Sequence, residues 1–325
     1  MDAQRPLRSV ALLAGLSMVV GSCAHPLQVV APEPTATSTI SQLWVAPPDI
    51  GKRNLVYGPG GEALFPKART FEFMKRDTTG ASPGYDVRDA EKREWKVKLG
   101  IEAQPEVVTS RILWAIGFHQ PVLHYVEEWS LTGDDAGPQP AGRFRLDVPG
   151  PEVLGEWSWF ENPFVYTRQY RGLLAANLLL NNWDFKTSNN KIYGGDKSSD
   201  NERRYVVRDL GASLGKTNQP WLLRLPGFIR FMQGTKNDIE GFESQDYVRM
   251  GESGRIEFDY AGNYRDLVKH VTAADVHWVC QLMSQLSDQQ LTDAFRAARY
   301  DDAIAARYVK KIREKIAQGL ALSVS

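Results

Sequence analysis

From Thr70 the chain reads TFEFMKRD (70–77), with apolar and polar positions trading places at a period of two, the mark of a half-buried strand. TTGASPG (78–84) then supplies a turn with Gly80 and Gly84, and YDVRD (85–89) reads as a second strand. In REWKVKLG (93–100) the alternation is clearest: Trp95, Val97 and Leu99 point one way, Lys96 and Lys98 the other. The period then changes. PEVVTSRILWAIG (105–117) places Val108, Ile112, Ala115 and Ile116 on one helical face. Pro105 suits the first helical position and Gly117 the stop, while Glu106 falls in the first turn, where the helix dipole favours a carboxylate. PVLHYVEEW (121–129) and GRFRLDV (142–148) return to strand. The first half is therefore β-rich, with strands that look antiparallel and one strong helix.

The second half is mostly helical. FVYTRQYRGLLAANLLLNN (164–182) is a helix ending in an apolar run. NYRDLVKHVT, AADVHWVCQLMSQL and the long run from Ser287 follow, with Ser287 and Gln290 spaced as a capping box. The aromatic loop PGPEVLGEWSWFENP (149–163) is a fair boundary, so the expected division is residues 51–160 and 161–325, an α+β architecture in two lobes.

Charge narrows the functional classes. Lys+Arg and Asp+Glu are both 39, so no basic excess points to nucleic acid as a partner. Of the two cysteines, Cys280 sits in an apolar helix, where a small core residue is expected. Cys23 follows VALLAGLSMVV (10–20), an apolar run too short to span a bilayer. The VGSC ending resembles a bacterial lipobox, which implies a signal peptide over residues 1–23 and lipidation of Cys23. The expected location is then the cell envelope of a bacterium, anchored on the periplasmic side. Residues 24–50, rich in Pro, Ala, Thr and Ser, read as a tether.

The chemistry gathers after the apolar helix. LLNNWDFKTSNNKIY (179–193) holds one Asp and four Asn. If residues 190–193 pair antiparallel with 205–208, Asn189 and Asp209 meet at the open end of the ribbon, within roughly 5 Å for facing residues. An amide oxygen beside a carboxylate is a hard site of the kind Mg²⁺ takes. Asp184 precedes the same ribbon and can orient or deprotonate a hydroxyl, and Lys186 adds positive charge nearby.

DFKTSN (184–189), followed about twenty residues on by DLG (209–211), resembles the catalytic loop and metal triplet of the protein-kinase-like superfamily. NWDFKTSN (182–189) is most similar to HipA-like kinases. WKVKLG followed by a glutamate-bearing helix is also similar to their nucleotide lysine and its partner. The resemblance implies a two-lobed kinase-like fold using ATP and Mg²⁺, with a protein Ser/Thr or a small molecule as acceptor. It assigns Asp184 as catalytic base, Lys186 beside it, Asn189 and Asp209 as metal ligands, and Lys98 as phosphate ligand paired with Glu106. Gly80 and Gly84 would belong to a turn covering the phosphates. Lys96 competes with Lys98, and Glu102 with Glu106. No His-Arg precedes Asp184, so control by an arginine-bound activation-loop phosphate is not implied.

Two rivals remain. A kinase-like fold that binds without turnover is one, since ATP is scarce outside the cytoplasmic membrane. The other is GASLG (211–215), which matches the G-x-S-x-G nucleophile elbow, with Ser213 as nucleophile and His270 or His277 as base. His277 and Cys280 share a helical face, but lack the further ligands that structural zinc requires. PWLLRLPGFIRFMQG (220–234), apolar with arginines and no acid, is expected to pack against the helical half.

Overall fold

A computed structural model of the chain describes residues 39–78, 82–147, 152–194, 203–217, 234–262 and 264–323. Cys23 and its signal, Gly80, and most of 220–234 lie outside the described residues. The alternating stretches form β1 (Thr70–Asp77), β2 (Gly84–Arg88) and β3 (Glu94–Leu99), an antiparallel meander. Trp95 and Val97 are buried on the inner face. β4 (Leu123–Val126), β5 (Trp129–Thr132), β6 (Gly137–Gln139) and β7 (Gly142–Asp147) complete a seven-stranded sheet. Its order is β4-β7-β3-β2-β1-β5-β6. One pairing departs from the expected antiparallel pattern: β1 and β5 run parallel, Phe71 against Leu131. Residue periodicity marks strands but carries no direction for a partner so far along the chain.

The helix after β3, α1 (Ala103–Ala115), starts two residues earlier than Pro105 suggested. The missing proline N–H still falls in the first turn, where backbone donors have no helical partner. Gly117 ends the segment at φ +106°, and a Cβ there would lie 2.4 Å from the Val45 carbonyl oxygen, so no other residue fits without displacement. Val107, Val108, Ile112 and Leu113 of α1 are sealed into the larger of two apolar cores, the one shared with the helical half. The sheet builds the smaller core around Phe71, Val87, Trp95 and Phe144. Thus α1 packs on β4 and β7 yet belongs to the second half's interior.

The tether expected over 24–50 ends earlier than that. Leu43 and Ile50 are buried in the larger core, and Trp44 bridges to Phe118 and donates its indole N–H to the Ile116 carbonyl at 2.7 Å. Gln290 donates to the Ile50 and Arg53 carbonyls. Aromatic and aliphatic residues scattered among prolines have no period to reveal their burial.

The second half begins with β8 (Glu152–Gly155), which pairs with β9 (Asn190–Gly194) rather than with the large sheet. β10 (Arg204–Val207) closes a three-stranded antiparallel ribbon. Between them runs α2 (Arg168–Leu179), capped by the Thr167 hydroxyl. After a short α3 (Ile239–Glu243) comes the hairpin β11 (Val248–Met250) and β12 (Ile256–Phe258). α4 (Ala273–Ser284), α5 (Asp288–Ala297) and α6 (Asp302–Leu320) follow. NYRDLVKHVT forms a 3-10 turn, Arg265–His270, instead of an α-helix. The capping box of Ser287 and Gln290 is formed. The long run beyond it breaks at Arg299, whose φ is +61°, and Asp301 caps the next helix.

If residues 39–50 are part of the fold, Leu43→Ala removes a buried side chain and is expected to lower unfolding free energy by about 2–5 kcal/mol. Urea denaturation of the full chain checks this; an unchanged midpoint and slope would mean the segment is only a tether.

Candidate active site

The asparagines after α2 divide their labour. Asn182 donates its side-chain amide to Asn177 Oδ1 at 2.8 Å, while its own Oδ1 accepts from the Asp184 N–H at 3.3 Å. Asn181, at φ +54°, donates to the Gly215 carbonyl at 2.6 Å and accepts from the buried Lys315 ammonium at 2.6 Å. Asn190 donates to the Trp157 carbonyl. Each satisfies backbone groups that an abrupt helix-to-ribbon transition would otherwise strand in the interior. Phe185, buried edge-on against Trp159 at 5.1 Å, anchors the loop's middle. These contacts hold Asp184 and Asn189 in place from below.

The ribbon register pairs Asn190 with Val207. The Asn189 carbonyl accepts from the Arg208 N–H at 2.8 Å and the Asp209 N–H at 3.4 Å, so the two residues meet at the open end. Asn189 Nδ2 donates to the Asp184 carbonyl at 3.0 Å. Only the NH₂ of an amide can make that bond, so Oδ1 is not used in it. Asp184 Oδ2 accepts from the exposed Lys186 at 3.0 Å. Its Oδ1 is buried and has no hydrogen-bond partner among the described residues.

Facing this loop is Lys98. Its ammonium lies 2.7 Å from Asp209 Oδ1, 3.2 Å from Glu106 Oε2 and 3.2 Å from Glu102 Oε2. Burial works against the Lys98 charge, but the Glu106 and Asp209 carboxylates outweigh it and hold the amine above its ordinary value. Burial would likewise raise Asp209, yet the charge and hydrogen bond of Lys98 hold it well below the usual carboxylate range. Both are ionised at neutral pH. Glu106 is fully buried and also takes Arg143 Nε at 3.0 Å and Arg145 at 3.9 Å. Lys96, by contrast, is half-exposed and pairs loosely with Asp86 and Asp147 at 3.7 and 3.5 Å.

Arg143, Arg145 and Lys236 escaped the sequence reading, and Glu102, weighed there against Glu106, shares Lys98 with it. Glu102 precedes the helix but still reaches Lys98, and it also binds Lys236 and the Ser82 hydroxyl. Lys236 lies over the Trp183 ring at 5.2 Å. Arg143 and Arg145 alternate along β7 as the lysines do along β3, and the register sets Arg143 opposite Lys98 and Arg145 opposite Lys96. That alternation was the available signal. Gly84 opens β2 opposite Lys98, where a Cβ would lie 2.3 Å from the Val97 carbonyl oxygen; close strand packing already accounts for it. Gly211 lets the Asp209–Gly211 segment lie against the start of α1, since a Cβ would sit 2.6 Å from Glu102 Cβ.

The nucleophile-elbow alternative does not survive the geometry. Ser213 is fully buried, donates to the Leu210 carbonyl at 2.6 Å and shares a 2.8 Å hydrogen bond with Thr109, so no substrate reaches it. Cys280 is a core residue whose thiol burial pushes up to about 12. Among the described residues no group of three or more His, Cys, Asp or Glu could hold a metal.

No family model matches the chain, and no curated protein matches it. Among solved structures, a Helicobacter pylori proinflammatory kinase, CtkA, is similar over 78% of this chain and 99% of its own, at 13% identity and a TM-score of 0.45. A likeness that loose is no basis for a function, which has to come from the site itself.

Two results test this geometry. Glu106→Ala leaves Arg143 and Lys98 short of a buried counter-charge and is expected to cost about 3–5 kcal/mol, against no more than about 0.5 for Lys96→Ala; equal effects would contradict the burial difference. Asp209 is ionised when folded at pH values where an unfolded aspartate, near ~3.9, is protonated. Its contribution is therefore complete above that value and is lost as pH falls toward its lowered folded value. The stability gap between wild type and Asp209→Asn should be steady between about pH 5 and 8 and narrow below about pH 4. A gap unchanged between neutral and acidic pH would contradict the pairing.

Proposed function

We propose that this chain is a kinase-like phosphotransferase that uses Mg²⁺-ATP to phosphorylate a hydroxyl, with a protein Ser/Thr or a small molecule as acceptor. The observation that carries the reading is the 2.7 Å contact between Lys98 and Asp209. It sets a cation from the sheet against a carboxylate from the ribbon, with the Asn189 amide alongside. Asn189 Oδ1 and Asp209 fit a magnesium ion, being hard oxygens, one of them oriented by the bond from Nδ2 to the Asp184 carbonyl. A magnesium ion held by these two residues would supply neutralisation of charge on the phosphates being transferred.

The remaining work falls to the chain. Lys98, backed by Glu106 and Arg143, presents a fixed positive charge to phosphate oxygens. For that it exchanges its Asp209 contact for the ligand, which frees the carboxylate. Asp184 orients the acceptor through Oδ1, the buried oxygen left without a partner, and receives its proton. Lys186 holds the other oxygen, fixing the carboxylate plane. Most of the rate enhancement is then positioning and charge placement. The lipobox-like N-terminus extends the proposal to an envelope protein anchored through Cys23. There the scarcity of ATP keeps a non-catalytic binding role as the competing reading, separated by turnover alone.

Calorimetry on the full chain is expected to show magnesium-dependent ATP binding that Asp209→Ala loses. Asp184→Asn should retain nucleotide binding while phosphoryl transfer, followed by intact mass of acceptor or enzyme, falls about 10²–10⁴-fold. Binding indifferent to Asp209→Ala, or transfer unaffected by Asp184→Asn, would overturn the assignment. Binding without any transfer by wild type would favour the non-catalytic role.

A further inference from the structure

The groove holds more positive charge than its carboxylates answer. Lys98 is met by Glu106, Asp209 and Glu102, and Arg143 by Glu106 and the Lys96 carbonyl at 2.9 Å. Arg145 is not so provided. Its side chain is 13% exposed, and its nearest carboxylate is Glu106 at 3.9 Å, an oxygen already 3.0 Å from Arg143. Among the described residues the guanidinium of Arg208, the residue before Asp209, makes one long hydrogen bond, 3.5 Å to the Tyr193 hydroxyl. Among the described residues neither guanidinium has a carboxylate of its own. Arg145 also feels the positive charges of Arg143 and Arg208 and the Tyr193 phenol, and burial together with those arginines pushes it down to about 9. Four cations, Lys98, Arg143, Arg145 and Arg208, thus gather about Glu106, Asp209 and Glu102, the last of which is shared with Lys236.

Like charges gathered in a partly dry groove are costly unless an anion joins them. A guanidinium offers a planar fork matched to phosphate oxygens. Since Arg145 stands two residues along β7 from Arg143, the register partner of Lys98, it is displaced by roughly 7 Å along the strand from the Lys98 position, toward the end of β7 at Asp147. That is far enough to take a different group from the one held by Lys98.

We infer that Arg145 and Arg208, with the Tyr193 hydroxyl, form a second anion subsite that binds a phosphoryl group, beside but distinct from the Lys98–Asp209 centre. The inference rests on the phosphotransferase reading only for the source of that group. It comes either from the nucleotide itself, lying with a phosphate deep in the groove, or from a phosphorylated acceptor.

The test is thermal unfolding and direct binding of the full chain with inorganic phosphate, tripolyphosphate and ATP·Mg²⁺. Wild type is expected to be stabilised by inorganic phosphate and tripolyphosphate without metal. Arg145→Met, which keeps bulk and removes an unanswered charge, is expected to fold at least as well without ligand. It should lose the phosphate response and bind tripolyphosphate about tenfold or more weakly, and Arg208→Gln should weaken it in the same direction. Lys52→Met, which removes an exposed charge away from β3 and β7, serves as control. No stabilisation of wild type by phosphate or tripolyphosphate, or a response unchanged in both arginine variants, overturns the subsite even if ATP·Mg²⁺ binds. A phosphate response lost in Arg145→Met while ATP·Mg²⁺ fails to bind wild type upholds the subsite and removes the kinase reading. Competition between ATP and phosphate assigns the group to the nucleotide, and simultaneous binding assigns it to the acceptor; either result supports the subsite.

Discussion

One ammonium group sets the relation between the two halves of this protein. Lys98 comes from the sheet, Glu106 from a helix whose apolar side belongs to the other core, and Asp209 from the ribbon of the helical half. A charge that far out of water persists only when counter-charges are within contact distance. Glu106, itself wholly buried, needs Arg143 and Lys98 for the same reason. The contact between the sheet and the ribbon is therefore organised by mutual neutralisation of buried charges.

The polar stretch after α2 answers a different constraint. A helix that stops inside a core leaves carbonyls and N–H groups without water. Asn177, Asn181, Asn182 and Asn190 meet that need with side-chain hydrogen bonds to one another and to the backbone. The same network fixes Asp184 and Asn189, whose side-chain amide donates to the Asp184 carbonyl. Asp184 Oδ1, Asn190 Oδ1 and the Trp159 indole nitrogen are the buried polar atoms of this stretch without a hydrogen-bond partner among the described residues.

Much of the plan was legible in the letters. Period-two alternation marked β1, β2 and β3, the helical face of Val108 and Ile112 marked α1, and two short apolar runs around a polar loop marked β9 and β10. From that ribbon alone the meeting of Asn189 with Asp209 follows. Contacts between distant segments were not legible. The parallel pairing of β1 with β5, the burial of Leu43 and Ile50, and the gathering of Arg143, Glu102 and Lys236 about Lys98 depend on partners tens to hundreds of residues away. The preference for Glu106 over Glu102 shows the limit: helical position identified the deeper carboxylate, yet both reach the lysine.

The central claim is that the ribbon's open end and the Lys98 strand together bind a metal-nucleotide complex. Manganese(II) in place of magnesium makes this directly visible by electron paramagnetic resonance on the full chain. The account predicts that wild type immobilises manganese when ATP is present, and that the Asn189→Ala, Asp209→Ala double variant leaves it tumbling freely. Equal immobilisation by the double variant, or none by wild type, would contradict it.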